Sequence, residues 1–529
     1  MQRALSSLLI VTALSIATLW AGLGRLPLTG ADEPRYARIA EEMRLSGRWV
    51  TPTLEGRPWL EKPPLYYWIA RAPGSLFGSP ETAARVGPAL CALLSALAVL
   101  WAGTRIWSPL AGLLGGAILV TSLGFAGFGR SASTDMPFTC CLTLALSVLA
   151  VAVEKDLGWK VLAAWVFLGL AVLGKGPVAL VLAAGVGLLS WYFGGREGMF
   201  RRWRTGPGAA VALAVSVPWF WLAFRENGYA FVATFFVNHN FARYVTDIHH
   251  HAQPFYYYLP VLLALFFPWS GWLVALAGTS PLEELRRWRR WRPAPLFILC
   301  WLLFPILFFS LSGSKLAGYI LPSLPPLALL LGARLAPWVR EGAEPRLLRA
   351  AVTAEALLAL CLALAAPVFF QKDYGGHWRE GLAISLAVLV PAGFALYYGW
   401  RNRPLGAVRA TALGGAALVL AVVVFAFPLL GDYHSTRTIA REALALRRGE
   451  EPILTYRFFH HSLHYYTGYR VDAEPKDLAA LRRGVAGRTG ALVVTKAEGA
   501  REIGEAGGFD TVPLATQGNF RLVRILPKR

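Results

Sequence analysis

The chain has 529 residues, of which 56% are hydrophobic and only 16% charged, with a formal net charge of +21. Soluble globular domains carry about 25% charged residues, so this composition excludes an ordinary soluble protein and points to a polytopic α-helical membrane protein. The positive excess lies in short segments between apolar runs, such as GGREGMFRRWRTGPG and RRWRRWRP. That is the pattern of cytoplasmic loops under the positive-inside rule, and no nucleic-acid partner is expected. The five cysteines all fall in apolar runs and read as small hydrophobes, not as a disulfide or metal framework.

In chain order, apolar runs long enough to cross a hydrocarbon core of about 30 Å are predicted near 7–24, 82–104, 109–128, 136–153, 160–174, 177–194, 208–224, 257–279, 294–312, 317–336, 348–370, 381–400 and 407–429. This makes about thirteen spans. The N-terminus has a short basic start but no small-x-small cleavage site, so the first run reads as an uncleaved span with its N-terminus cytoplasmic. The even-numbered loops then hold most of the arginines, including Arg201, Arg202, Arg204, Arg286, Arg287, Arg289 and Arg290, and the short odd-numbered loops hold few basic residues, Lys175 among them. Two external loops, 25–81 and 225–256, are long and rich in polar residues, so function is sought there. Residues 1–430 form the membrane domain. Beyond them, 431–529 alternates helical patterns with the β-branched runs PILTY and ALVVT and the tail FRLVRILPK. This predicts a small α/β domain outside the membrane, on the periplasmic side.

The first external loop opens on Asp32 and Glu33, followed by Pro34. Tyr36, Ile39, Ala40 and Met43 fall at i, i+3, i+4 and i+7, the stripe of an amphipathic helix lying in the membrane interface. Asp32 either caps this helix or joins Glu33, Arg35, Glu61 and Lys62 in a polar station, since carboxylates at membrane depth are costly unless paired, solvated or functional. Glu61 and Lys62 precede Pro63-Pro64, which stiffens the turn, and Tyr66, Tyr67 and Trp68 suit the headgroup level. GRSASTDMP ends at Asp135, either a helix cap or a second acid. In FFVNHNFARYVTDIHHHAQPFYYYLP, His239, Asn240 and Arg243 fit one face of a short helix, and His249, His250 and His251 form a run. An imidazole beside a carboxylate such as Glu61 suits a divalent cation with mixed ligands. SGSKLAGYILPSLPP places Lys315 and Tyr319 four apart at the start of a span, where Lys315 binds phosphate or snorkels.

Taken together, ADEPRYARIAEEMRLSGRWVTPTLEGRPWLEKPPLYYW, STDMP, NHNFARY…HHHAQPFYYYLP and SKLAGYILPSLPP resemble the bacterial lipid A aminoarabinose transferases. These are GT-C glycosyltransferases related to protein O-mannosyltransferases. The resemblance runs from Asp32 to Pro326 and implies a bundle of about thirteen spans, amphipathic juxtamembrane helices and a periplasmic domain. It implies a polyprenyl-phosphate sugar donor, here undecaprenyl phosphate carrying 4-amino-4-deoxy-L-arabinose, and lipid A or another envelope acceptor. It makes Asp32 the catalytic aspartate and Asp135 the second acid. Glu61 and His239 would hold a divalent metal (zinc, magnesium or manganese), with the 249–251 run as alternative ligands. Lys62, Arg35, Arg243 and Tyr319 would surround the donor phosphate, with Lys315 beside them. Glu33, Tyr66 and Asn240 complete the candidates.

Displacing a polyprenyl phosphate from an anomeric carbon leaves charge on the departing phosphate, which lysine, arginine or a metal stabilises. A phosphate acceptor, with a second pKa of about 6, is already nucleophilic, and Asp32 then orients it; a hydroxyl acceptor needs Asp32 as base. Transfer of another sugar to a protein or envelope glycan is the nearest alternative. A transporter or flippase of a lipid-linked substrate would show inverted repeats and midplane ionisable groups; the sequence shows neither.

Overall fold

The computed structural model describes residues 2–72, 76–194, 198–246, 253–277 and 292–528. Among the described residues, nine helices are long and apolar enough to cross a membrane. Two more candidate spans are bent pairs, Pro109–Thr121 with Leu123–Gly129 (68°) and Phe255–Phe266 with Trp269–Leu276 (116°). Leu5–Trp20 and Val178–Gly194 are shorter apolar helices. Each apolar stretch anticipated from the sequence falls on one of these helices.

Asp135–Glu154 is the central helix, with 89% of its most apolar window buried. Its small side chains, among them Cys140, Thr143, Ala145 and Ala150, let neighbouring helices approach closely, the usual packing device in membranes. Two interruptions aim side chains at one region. Ser122 is extended, and the amide of Leu123 donates to the carbonyl of Phe267 (2.8 Å), so Leu123–Gly129 leaves the axis of the preceding helix. In the helix Thr205–Phe231, Gly228 adopts φ 58°, ψ −144°, open only to glycine, and kinks the chain. The chain then runs on as a π-helix, Val232–Ala242. Residues 225–242, within the expected external loop 225–256, are therefore helical. The i→i+5 bonding of a π-helix also alters the angular spacing that would have placed His239 and Arg243 on one α-helical face.

The helix Asp32–Ser46 forms as predicted and stops at Gly47, which is left-handed (φ 70°). Its apolar stripe is not laid on lipid. Tyr36, Ile39, Ala40 and Met43 are buried against Tyr66, Tyr67 and the partly buried Tyr465 and Tyr466. Tyr66 and Tyr67 are fully buried, with ring centroids 5.9 Å from Tyr36, and Tyr66 donates to the Ala84 carbonyl (2.9 Å). The expected interfacial belt is thus a packed aromatic core. Aromatic residues serve both places equally well, which is why the pattern misled.

Toward the C-terminus, β3 (Ile453–Thr455), β4 (Ala491–Lys496), β5 (Phe509–Gln517) and β6 (Phe520–Pro527) form a sheet of order β3-β4-β6-β5. It follows the short hairpin β1 (Thr53–Leu54) and β2 (Arg57–Pro58) of the first loop. β3 and β4 are parallel and the other pairs antiparallel. The three strands anticipated from sequence are present. β5 was not anticipated because Pro513 and polar residues disguise it; it is an edge strand, with a register shift between Pro513 and Ala515. This sheet unit docks on the first loop. Tyr466 accepts from the Leu28 amide (2.8 Å) and donates to Glu81 (2.9 Å), and Arg437 pairs with Glu81 (3.2 Å).

Candidate active site

One cavity of about 1150 Å³ is lined by Asp32, Glu33, Arg35, Glu61, Lys62, Asp135, His239, Asn240 and Tyr319. Residues from four distant sequence segments thus converge, as the motifs required. Neither aspartate is a cap. Asp32 is the first residue of its helix, where no side chain caps, and it pairs with Arg35 (2.5 Å) while remaining 58% exposed. Asp135 likewise opens its helix uncapped and forms an ion pair with Lys175.

Glu33 faces another environment. Arg85 grips its carboxylate bidentately (3.0 and 2.6 Å), and the amides of Ala132 (2.8 Å) and Thr29 (3.1 Å) also donate to it. Burial alone would raise this carboxyl; the Arg85 guanidinium and the hydrogen bonds outweigh burial and hold it below the usual carboxylate range. The remaining Arg85 donors reach the carbonyls of Leu23, Leu26 and Pro27. The pair fastens the 23–29 turn to Ala132, beside the cavity.

His239 Nε2 lies 3.8 Å from Glu61 Oε1, and Asn240 donates to the Phe235 carbonyl (2.7 Å). Tyr36 also lines the cavity; burial, then the Asp32 carboxylate, push its phenol well up, so it stays a neutral donor. Val178, Val181, Phe235, Phe236, Phe308 and Phe309 supply an apolar wall. A cavity lined by both cationic side chains and an aromatic wall suits a phosphate carried on a lipid chain.

The chain matches the family model of dolichyl-phosphate-mannose-protein mannosyltransferase over residues 61–221. It is 34% identical over 408 residues to the undecaprenyl phosphate-alpha-4-amino-4-deoxy-L-arabinose arabinosyl transferase of Pectobacterium atrosepticum, an alignment covering 73% of this chain and 69% of that protein. The chain belongs to this arabinosyl transferase family. The Pseudomonas aeruginosa (strain UCBPP-PA14) member is 34% identical over 380 residues, covering 69% of this chain and 65% of its own length. The fold is that of ArnT from Cupriavidus metallidurans, solved bound to undecaprenyl phosphate: TM-score 0.79, 24% identity, 98% of this chain and 97% of that one. This is a multi-pass GT-C membrane fold.

Within this arabinosyl transferase architecture, two expected site residues lie elsewhere. Lys315 is 7% exposed, donates to the Ser312 carbonyl (2.6 Å) and does not line the cavity. Tyr66 is the core residue described above. The side chain of Arg243, and His249, His250 and His251 entirely, lie outside the described residues. In place of Lys315 stands Lys175, which in the sequence stood out only as one of the few basic residues of the short external loops. Its Nζ pairs with Asp135 and lies 5.3 Å from the Phe138 ring and 5.6 Å from the Tyr319 ring. The signal was available: GKGP places a lysine between two apolar helices, and ionisable residues at membrane depth mark function.

Glu61 and His239 are close enough to share one cation. Among the described residues no cluster of three histidine, cysteine or acidic side chains exists to complete a closed site. One imidazole nitrogen and one carboxylate oxygen suit a divalent cation with mixed ligands.

Proposed function

We propose that this chain is an inverting glycosyltransferase that moves 4-amino-4-deoxy-L-arabinose from undecaprenyl phosphate to a phosphate of lipid A. The observation that carries the reading is the convergence of Asp32 and Asp135 with Lys62, Lys175 and Arg35 in one cavity beside an aromatic wall. The reaction takes place on the periplasmic face of the bacterial inner membrane. All thirteen apolar helical stretches cross, the N-terminus is cytoplasmic, and residues 431–529 form a periplasmic α/β domain.

An oxygen of the acceptor phosphate attacks the anomeric carbon from the face opposite the leaving group. The bond from that carbon to the phosphate oxygen breaks, and undecaprenyl phosphate departs with the electron pair. Lys62 and Arg35 hold the departing phosphate, where charge grows in the transition state. Lys175, paired with Asp135, orients it toward the sugar, whose amino group is a natural cationic partner for a carboxylate. Asp32 orients the acceptor and needs no proton from it, because a phosphomonoester is already largely ionised at neutral pH. Tyr36 donates a hydrogen bond without ionising. Glu61 and His239 would hold a divalent cation, which when bound supplies further positive charge for phosphate.

The test is to incubate the purified protein with undecaprenyl phosphate-aminoarabinose and lipid A and to analyse products by mass spectrometry. Pentosylated lipid A is expected. The match to protein mannosyltransferases favours a second reading, transfer to a Ser/Thr hydroxyl; sugar found on a peptide and not on lipid A would establish it.

A further inference from the structure

Glu355 is an acid inside an apolar span, Pro345–Asp373, and it does not line the reaction cavity. It is 2% exposed, and among the described residues no lysine, arginine or histidine forms an ion pair with it. Its Oε2 instead accepts from the Trp272 indole (2.7 Å) and the Thr411 hydroxyl (2.8 Å), both fully buried. Ionisable side chains within spans are expensive and mark function, so the purpose of this one lies in what its two partners hold.

Trp272 belongs to the 3-10 turn Trp269–Leu273, in which side chains three apart eclipse. Trp269 stands beside it, with ring centroids 6.0 Å apart, and donates to the Thr121 hydroxyl (2.9 Å). Thr121 ends Pro109–Thr121 at the break before Leu123–Gly129. Thr411 lies one turn before Gly415 on the same face of Pro404–Ala421. Gly415 packs so closely on Thr121 that a Cβ there would collide with its carbonyl oxygen, and Gly271 presses in the same way on the Glu355 amide. The contacts close a ring: Thr121, the tryptophan pair, Glu355, Thr411 and Gly415. Both bent spans break beside this ring, joined there by the Leu123 amide on the Phe267 carbonyl. Helices in a bilayer lack a hydrophobic drive to associate, so directional bonds and close backbone contact fix their angle. The helix that leaves the ring, Leu123–Gly129, carries Phe128 to the reaction cavity and leads into the turn before Asp135.

We propose that Glu355 is a positioning residue for transfer: through Trp272 and Thr411 it holds the elbow that sets Phe128 and Asp135 in the cavity wall. The inference rests on the transfer reading above. Glu355 acts as a hydrogen-bonding group and not as one half of an ion pair.

The test uses the full-length protein in nanodiscs. Glu355→Leu strands both partners and should lower kcat about 10²-fold, as a misplacement of about 1 Å does, with KM for the donor unchanged. Trp272→Phe removes the same donor and should lower kcat in the same way, and the double variant should be no slower than Glu355→Leu alone. Glu355→Gln keeps an acceptor for Trp272 and a donor for Thr411, and should restore the wild-type kcat. A lower melting temperature with unchanged kcat in Glu355→Leu overturns the proposal, since Glu355 would then only brace the fold. So does Glu355→Gln as slow as Glu355→Leu. An arm independent of transfer places spin labels at Gly127→Cys, on the elbow helix, and at Gly393→Cys, on Trp378–Trp400, with the exposed Cys361 replaced by serine. A Cβ at either glycine meets no atom within 4 Å. The distance between the labels should shift in Glu355→Leu and not in Glu355→Gln. That result in a protein that transfers nothing keeps the elbow and removes the transferase; full transfer with an unmoved distance in Glu355→Leu does the reverse.

Discussion

Asp32 and Glu33 are adjacent in sequence, both carboxylates in the first turn of one helix, yet Asp32 faces the cavity with a single arginine partner while Glu33 is closed off by Arg85 and two backbone amides. A carboxylate whose lone pairs are filled has no capacity left for a substrate, so it is scaffold. One with unused acceptor sites facing a cavity is available for chemistry. The same contrast separates the two lysines, Lys175 at the cavity and Lys315 turned into the protein.

The contrast can be broken by exchanging function for stability. Asp32→Asn should lower transfer by about 10²–10⁴-fold and leave the melting temperature in place; a full rate would remove Asp32 from the chemistry. Glu33→Gln should do the opposite, destabilising the fold by about 3–5 kcal/mol through the stranded Arg85 charge, read by thermal denaturation in detergent. Lys175→Met should cost about 10²-fold in kcat, and its combination with Asp135→Asn should cost little more than either alone, because the two act as a pair. Chelation should lower activity reversibly, and His239→Ala should abolish that sensitivity; wild-type activity indifferent to chelators would remove the cation. The smallest effect concerns His461, whose imidazole is pushed down to about 4 by burial and then by the Arg35 charge. Between its ordinary value of about 6.5 and 4 the unfolded chain holds the proton and the folded one does not. Stability therefore rises with pH across that window and is lost on acidification. His461→Gln should flatten this part of the melting-temperature profile.

The apolar helices, the juxtamembrane helix and most of the polar cavity lining were legible because hydrophobic period and polar clustering are local signals. The misreadings share a different origin. Whether Tyr66 faces lipid or Tyr36, and whether Lys315 faces phosphate or Ser312, depends on what distant segments bring alongside. Lys175 was hidden for the same reason: its partner Asp135 is 40 residues away. The π-helix at Val232–Ala242 has no composition that distinguishes it from an α-helix, so the motif singles out His239 without saying where its imidazole points.

The bond from the Leu28 amide to Tyr466 spans 438 residues of chain. During synthesis the turn that presents Asp32 emerges well over 400 residues before the hydroxyl that anchors it, since Leu28 and Tyr466 are 438 residues apart. The reaction chamber therefore cannot settle until the sheet unit that carries Tyr466 has been made and folded. Nascent chains should pass through a stage with the apolar helices made and the turn that presents Asp32 still unanchored. A stop codon or fusion that spoils this last unit should yield an inserted, catalytically silent bundle.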